Sequence, residues 1–393
     1  MKVVYLTARP PYPPHKGDQL IAWEQLKQLK KSDISIYLIS IISSTEEEEL
    51  IREKLAPYCK QIYLFKLGKV TKLLNLTKSV INLKPLQVNL FTNRKLKRNV
   101  SEILEDIQPD LIHTQTVRVA EYALEKDIPK TLDMIDALSL NMRRRAKKEK
   151  FYKKIILSFE NILLKRYESK VLNVFEQTFI VSENDKKYLD NNTIVVNPNG
   201  TYMTPQYLSN YPTLKREKII LFHGNMQYYP NVEAAYTFAT QIWPIFHKVY
   251  REYQFYIVGK DPVKKIKQLH GMNNVFVTGF VEDICELLCR AEIAVYPLKS
   301  GTGLQNKVVE ALSCGLPVIA SPLALQGIAN ISNQEVVTYT TVTELISSLH
   351  NLINNQELRN RLSINGKIFA NNNFSWEVNC SRLVSAWKRI VKV

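Results

Sequence analysis
The chain has no apolar run of about 18 residues, the length a membrane-spanning helix needs, so no span is expected. Its longest apolar candidate, residues 34–42, fits a buried strand. It also lacks patterned cysteine. The five cysteines are scattered, with neither metal-type nor disulfide-framework spacing, which suits a reducing cytoplasm. Cys285 and Cys289 lie one helical turn apart and read as small packing hydrophobes. No zinc finger, RNA-recognition signature or helix-turn-helix is present, so nucleic acid is not the expected partner. The stretch from Lys2 to Thr7 reads as a strand rather than a signal peptide, because Pro10, Pro11, Pro13 and Pro14 cut it short.

What is present is 393 residues, too long for one ordinary core, with 45% hydrophobic and 10% aromatic content to fill two. Strand and helix patterns alternate throughout, which predicts α/β domains with parallel sheets covered on both faces. In the first half, strands are expected at 3–7, 34–40, 61–65, 111–114, 130–133, 177–182 and 194–197. Residues 198–214 are rich in turn formers and read as the interdomain linker. The pattern then restarts. Three strands of the second half end in glycine, at Gly224, Gly259 and Gly279, and a bare backbone at the carboxyl edge of a sheet lets a ligand approach closely. An amphipathic helix is expected from Phe374 to Ile390. The domains expected are therefore 1–198, 199–373 and a terminal helix at 374–393.

The net charge of +16 favours an anionic partner. Residues 142–170 hold eleven basic and three acidic residues, with apolar side chains at helical spacing. A single long basic helix there reads either as a membrane-surface element or as a helix docked on its own domain with its lysines in water. A second basic cluster, Arg94 to Arg98, points the same way.

The most chemical stretch is 295–321. It reads as a strand, a loop containing Gly301, Thr302 and Gly303, a helix, and a second strand. Open amides and the positive end of a helix dipole favour phosphate at such a loop. Lys307 adds a point charge, and Glu310 follows on the same helix face, where it can accept hydrogen bonds from ribose hydroxyls. A pyrophosphate joined to a ribose is the core of a nucleotide-sugar. Asp18 reads as the N-cap of a helix starting at Gln19, while His113 and His223 stand at strand ends.

The ordered set resembles the retaining glycosyltransferases of family 4. It comprises Lys16-Gly17-Asp18, the segments 109–113 and 180–185, Asn197 to Gly200, Phe222-His223-Gly224, Ile257-Val258-Gly259, the segment 277–281 and the block Gly301 to Pro317. Tyr228 to Asn231 together with the Gly301–Lys307 loop resembles a subgroup that makes exopolysaccharide and cell-surface glycans. The resemblance implies a GT-B fold: two Rossmann-like domains with parallel sheets, facing across a cleft. It implies a UDP- or GDP-sugar donor on the C-terminal domain and a glycan or lipid-linked glycan acceptor on the N-terminal one. Donor contacts fall on Gly17, Gly224, Asn225, Gly259, Lys260, Phe280, Val281, Gly303, Leu304, Gln305, Asn306, Lys307 and Glu310. His113, Asp18 and Thr302 fall nearest the chemistry, with Gln115 and Lys16 on the acceptor side.

No metal or other cofactor is expected, and no Asp-x-Asp motif is present. The place expected is the cytoplasm, with peripheral contact at the inner leaflet. The sequence departs from the family pattern at Thr302, where an acid is usual, at Asn225 to Gln227, where a basic pair is usual, and at Gln115, where a second histidine is common. A catalytically impaired binding relative and a basic peripheral or nucleic-acid-binding protein stand as the alternative readings.

Overall fold
A computed structural model describes every residue except 43, 46, 69–74, 76–78, 80–81, 148, 212–214, 302–303 and 393. The chain divides into two compact units. One comprises Met1–Asn199 and Trp376–Val393; the other is Gly200–Ser375.

Among the described residues, the first unit holds seven strands: β1 (Lys2–Thr7), β2 (Ser35–Ile42), β3 (Gln61–Lys66), β4 (Leu111–Gln115), β5 (Lys130–Asp133), β6 (Gln177–Ile180) and β7 (Ile194–Val196). They pair in the order β3-β2-β1-β4-β5-β6-β7, all parallel. The sheet is apolar on both faces, as a helix-covered parallel sheet must be. Val4, Leu6, Ile112 and Leu132 pack in one core layer. Val3, Tyr5, Leu38 and Leu111 pack in the other, against Leu383, Ala386 and Trp387 of the last helix, Trp376–Val391. That helix is fastened by polar contacts as well. Gln25 Nε2 donates to Asn379 Oδ1 (3.1 Å), Asn379 Nδ2 donates to the Pro198 carbonyl (2.8 Å), and Trp387 Nε1 donates to Thr131 Oγ1 (3.0 Å).

The second unit holds six described strands: β8 (Glu217–His223), β9 (Gln254–Val258), β10 (Val275–Gly279), β11 (Ala291–Tyr296), β12 (Val318–Ala320) and β13 (Val337–Thr338). Their order is β10-β9-β8-β11-β12-β13, again all parallel. Both units are thus Rossmann-like.

Several expectations need correction. The first helix begins at Gly17, so Asp18 lies in its first turn and Lys16 occupies the cap position. The long basic helix is two, Leu138–Ala146 and Phe151–Leu172. Residues 147–150 between them are all charged and carry no apolar stripe across. The Arg94–Arg98 cluster opens a helix, Arg94–Ile107, capped by Asn93, whose Oδ1 accepts from Leu96 N at 3.0 Å. The linker is shorter than expected, because fully buried Met203 and the short helix Pro205–Leu208 pack into the second core.

The helical stretch from Tyr229 to His247 contains a π turn at Phe238–Ile242, just before Pro244. Proline lacks the N–H and crowds the carbonyl one turn back, so the ladder widens there. A 19-residue helix, Gln356–Phe374, has no counterpart in the sequence reading. Its buried positions are Leu362, Gly366, Ala370 and Phe374. Two of these four are too small to register as a hydrophobic stripe. They are small because the helix lies close to its neighbour: a Cβ on Gly366 would stand 2.8 Å from Leu312 Cδ2. Among the described residues no helix is long and apolar enough to cross a membrane.

Candidate functional site
In the second unit, β8, β9 and β10 run parallel and end side by side. Gly224, Gly259 and Gly279 sit at or just past these ends with φ of 156°, 157° and 73°. Gly259 has no substitute. A Cβ there would stand 1.8 Å from the Gly224 carbonyl oxygen, so two main chains touch directly. Gly259 is thus required for main-chain packing, and Gly224 makes room for the Asn231 side chain, whose Nδ2 would stand 2.7 Å from a Cβ there, while both also line the cavity described next. Gly279 does face open space.

A cavity of about 280 Å³ opens at this edge. It gathers Gly224, Asn225, Gly259, Lys260, Phe280, Val281 and Glu310, seven of the expected donor residues, together with Tyr202 and His223. Lys260 and Asn225 are exposed, and Phe280 presents 71% of its surface. An exposed aromatic ring at a cavity rim is a surface on which a flat base can stack.

Glu310 projects from the helix Asn306–Ser313. Its carboxylate is held from behind: His223 Nε2–H donates to Oε2 (2.9 Å), and His223 Nδ1 meets the Tyr296 hydroxyl (2.9 Å). Tyr296 in turn donates to the Lys307 carbonyl at 3.0 Å, closing the chain back on the same helix. His223 is buried while Glu310 is only partly so. The acid is therefore fixed in direction with one face left for a ligand. Gln305 at the cap position makes no side-chain bond to the helix's own amides. Asn306 is exposed and Leu304 half-buried. Thr302 and Gly303 lie outside the described residues.

Lys307 is not the open phosphate anchor that its helix position suggests. It is buried, and its ammonium donates to Asn231 Oδ1 (2.7 Å) and Gln305 Oε1 (2.9 Å). Both partners are neutral, so burial wins over the nearby Glu310 charge and brings its pKa down to about 8. The lysine fastens the loop before the helix to the helix that starts at Tyr229.

In the first unit, a second cavity of about 410 Å³ opens at the carboxyl ends of its strands. Lys16, Gly17 and Asp18 line it as a group, so one residue expected on the acceptor side, one expected among the donor contacts and one expected near the chemistry share this place. Asp18 accepts from Arg9 Nη1 at 2.7 Å. Arg118 and Asp136 complete the charged lining, and Thr116 (φ 68°) and Ile135 (φ 65°) bend the wall into the left-handed region. Such strain in residues other than glycine concentrates at working sites. Arg9, Arg118 and Asp136 were missed in the sequence. The available signal was position alone, since each follows closely on the end of β1, β4 or β5.

His113 is not there. It is fully buried within β4, between Tyr5 and Trp387 rings at 4.7 and 5.0 Å, with Nδ1 2.8 Å from Thr131 Oγ1. Burial lowers its pKa to about 3, so it is neutral near pH 7 and braces the core. Gln115 is likewise buried, with Nε2 unpartnered among the described residues.

The second unit has recognisable relatives. Residues 217–355 match the family described as glycosyl transferases group 1. An uncharacterized glycosyltransferase of Methanocaldococcus jannaschii is 26% identical over 140 residues, 34% of this chain and 36% of that protein. The aligned part thus spans about a third of that relative's length. The whole chain superposes on a glycosyltransferase from Rickettsia africae with TM-score 0.64 at 16% identity, covering 100% of this chain and 98% of that one. It also superposes on Anabaena HepE in complex with UDP, with TM-score 0.61 at 14% identity, covering 99% and 100%. The fold is therefore that of the GT-B glycosyltransferases, and residues 217–355 are similar to the glycosyl transferases group 1.

Proposed function
We propose that this chain is a retaining glycosyltransferase that takes a sugar from a UDP- or GDP-sugar and attaches it to a glycan or lipid-linked glycan of the cell surface. The observation that carries the reading is Glu310. It is a carboxylate oriented by His223 in a cavity that Gly224, Gly259 and Phe280 also line. A ribose offers two hydroxyl donors to such an acid, and Phe280 offers a face for the base. UDP in the complex with HepE makes UDP the first nucleotide to test. Glu310→Ala is expected to weaken UDP or GDP binding by 10- to 100-fold in calorimetry, since a hydrogen bond to a charged group contributes about 1.5–3 kcal/mol. Affinity equal to the parent's would misplace the donor site.

The first unit would hold the acceptor, in the cavity lined by Arg9, Asp18 and Arg118. His113 is not a catalytic base in this scheme. The departing diphosphate takes up the acceptor hydroxyl's proton, and the protein's part is to orient the two substrates and stabilise the leaving charge without a metal.

The acceptor's lipid link has its own support. On the helix Phe151–Leu172, the side chains of Phe151, Tyr152, Ile155, Ile156, Phe159 and Ile162 are 49–79% exposed. Lys150, Lys153 and Lys154 stand among them. An apolar face flanked by lysines fits the headgroup layer of an anionic bilayer. Sedimentation with phosphatidylglycerol vesicles should fall about tenfold in an Ile155→Glu/Ile156→Glu variant. Equal sedimentation of the two proteins would remove the membrane from the proposal.

A further inference from the structure
The helix Ile284–Arg290 presents Cys285 and Cys289 one turn apart, and the chain returns with Cys314 at the C-cap of Asn306–Ser313. The three sulfurs lie within 4.8 Å of one another. Cys285 and Cys314 are buried and Cys289 half-buried. Their separation in sequence matches no metal motif, so nothing but the fold brings them together. A fourth sulfur completes the group: Met203 Sδ stands 3.4 Å from Cys314 Sγ.

The geometry points to a soft-cation site, with the thiolates of Cys285, Cys289 and Cys314 as ligands to one Zn(II) or Cu(I) ion. Three observations support it. First, the Sγ–Sγ distance from Cys285 to Cys314 is 3.8 Å. Bonds of about 2.3 Å in a tetrahedral zinc site put neighbouring sulfurs at roughly this spacing. The pair therefore needs little movement to bind. Second, the donors are all sulfur, and thiolates with a thioether select soft ions over hard ones.

Third, the surroundings hold the ligands in place and leave an entrance. Arg216 donates to the carbonyls of Leu288, Ala291, Cys314 and Gly315, so one guanidinium ties together the two segments that carry the thiols. Outer groups of this kind orient metal ligands. A cavity of about 250 Å³, lined by Cys289, Cys314, Arg216 and Lys367, reaches the cluster from solvent. Three thiolates on a divalent ion leave one negative charge, which these two cations offset.

On binding, three thiol protons pass to solvent and no electron moves. The ion would pin the end of the helix that carries Glu310, whose carbonyl accepts from Cys314 N at 3.2 Å. This site is separate from the nucleotide cavity and its test does not depend on that reading.

The test uses the full chain, reduced and freed of metal, titrated anaerobically with Zn(II) and, in a second arm, Cu(I), each against a chromophoric chelator. One ion per chain is expected, with release of about three protons and a higher midpoint of thermal unfolding. Cys289→Ser, at the most exposed of the three positions, should bind at least about tenfold more weakly while unfolding as cooperatively as the metal-free parent. Binding below half an ion per chain, or binding unchanged in Cys289→Ser, would overturn the proposal. So would mild oxidation that converts Cys285 and Cys314 wholly to a disulfide after incubation with either ion.

Discussion
The two cavities sit at the same edge of two similar sheets, yet they are built by different means. In the second unit the touching main chains of Gly224 and Gly259 form part of the wall, beside Tyr202, Lys260, Phe280 and one oriented acid. In the first, charged side chains line the wall: Arg9, Asp18, Arg118 and Asp136, carried on backbone strained at Thr116 and Ile135. A wall of touching backbones cannot be reshaped without moving the sheet, so it suits a ligand whose form is constant. A wall of long polar side chains can be changed one residue at a time, so it suits a ligand whose form differs between related proteins.

Three substitutions test that contrast. Gly259→Ala should have the largest effect. The added methyl overlaps the Gly224 carbonyl, and the strands must separate or the loop unfold. A loss of about 3 kcal/mol or more is expected in urea unfolding, with nucleotide binding lost as well. A variant within about 1 kcal/mol of the parent would show that this wall yields after all.

Lys307 comes next. Its folded-state pKa of about 8 lies below the ordinary 10.5, so the unfolded chain holds the proton more tightly. The buried charge is a full burden below pH 8 and is relieved as pH rises from about 8 to 10.5. Stability should increase over that window by something on the order of 2 kcal/mol relative to Lys307→Met, which lacks the titration. Parallel pH profiles for the two proteins would mean the ammonium is better solvated than its partners Asn231 and Gln305 imply.

The smallest effect is expected in the first unit. Asp18→Asn breaks a partly exposed pair with Arg9 and should change stability by less than about 1 kcal/mol. Nucleotide affinity should stay at the parent value while sugar transfer drops. A change in nucleotide affinity instead would assign this wall to the donor.

The sequence made the sheets legible because both are buried on each face and read as plain apolar runs between turn formers. Strand-end glycines and the 301–317 block led to the cavity of the second unit for the same reason: backbone demands leave a mark on residue type. Side-chain geometry leaves none. Nothing local says that Lys307 turns inward to Asn231, that His223 backs Glu310, or that Cys314 meets a pair of thiols on another helix. His113 misled because a polar residue at a strand end looks the same whether it faces a ligand or a tryptophan. The helix Gln356–Phe374 escaped because close packing had replaced its apolar stripe with Gly366 and Ala370.

The first unit is discontinuous: its last helix is made after the whole of the second. On the ribosome, the layer around Val3, Tyr5 and Leu111, already packed by Leu26, Leu29 and Leu55, must therefore wait only partly covered while about 176 residues of the other unit are synthesised, the span from Gly200 to Ser375. A nascent chain in that interval shows a sticky apolar surface to its surroundings. A frameshift or stop codon just before Trp376 would leave it permanently unsealed, so a lesion there would be felt as a folding defect in the sheet that begins at Lys2.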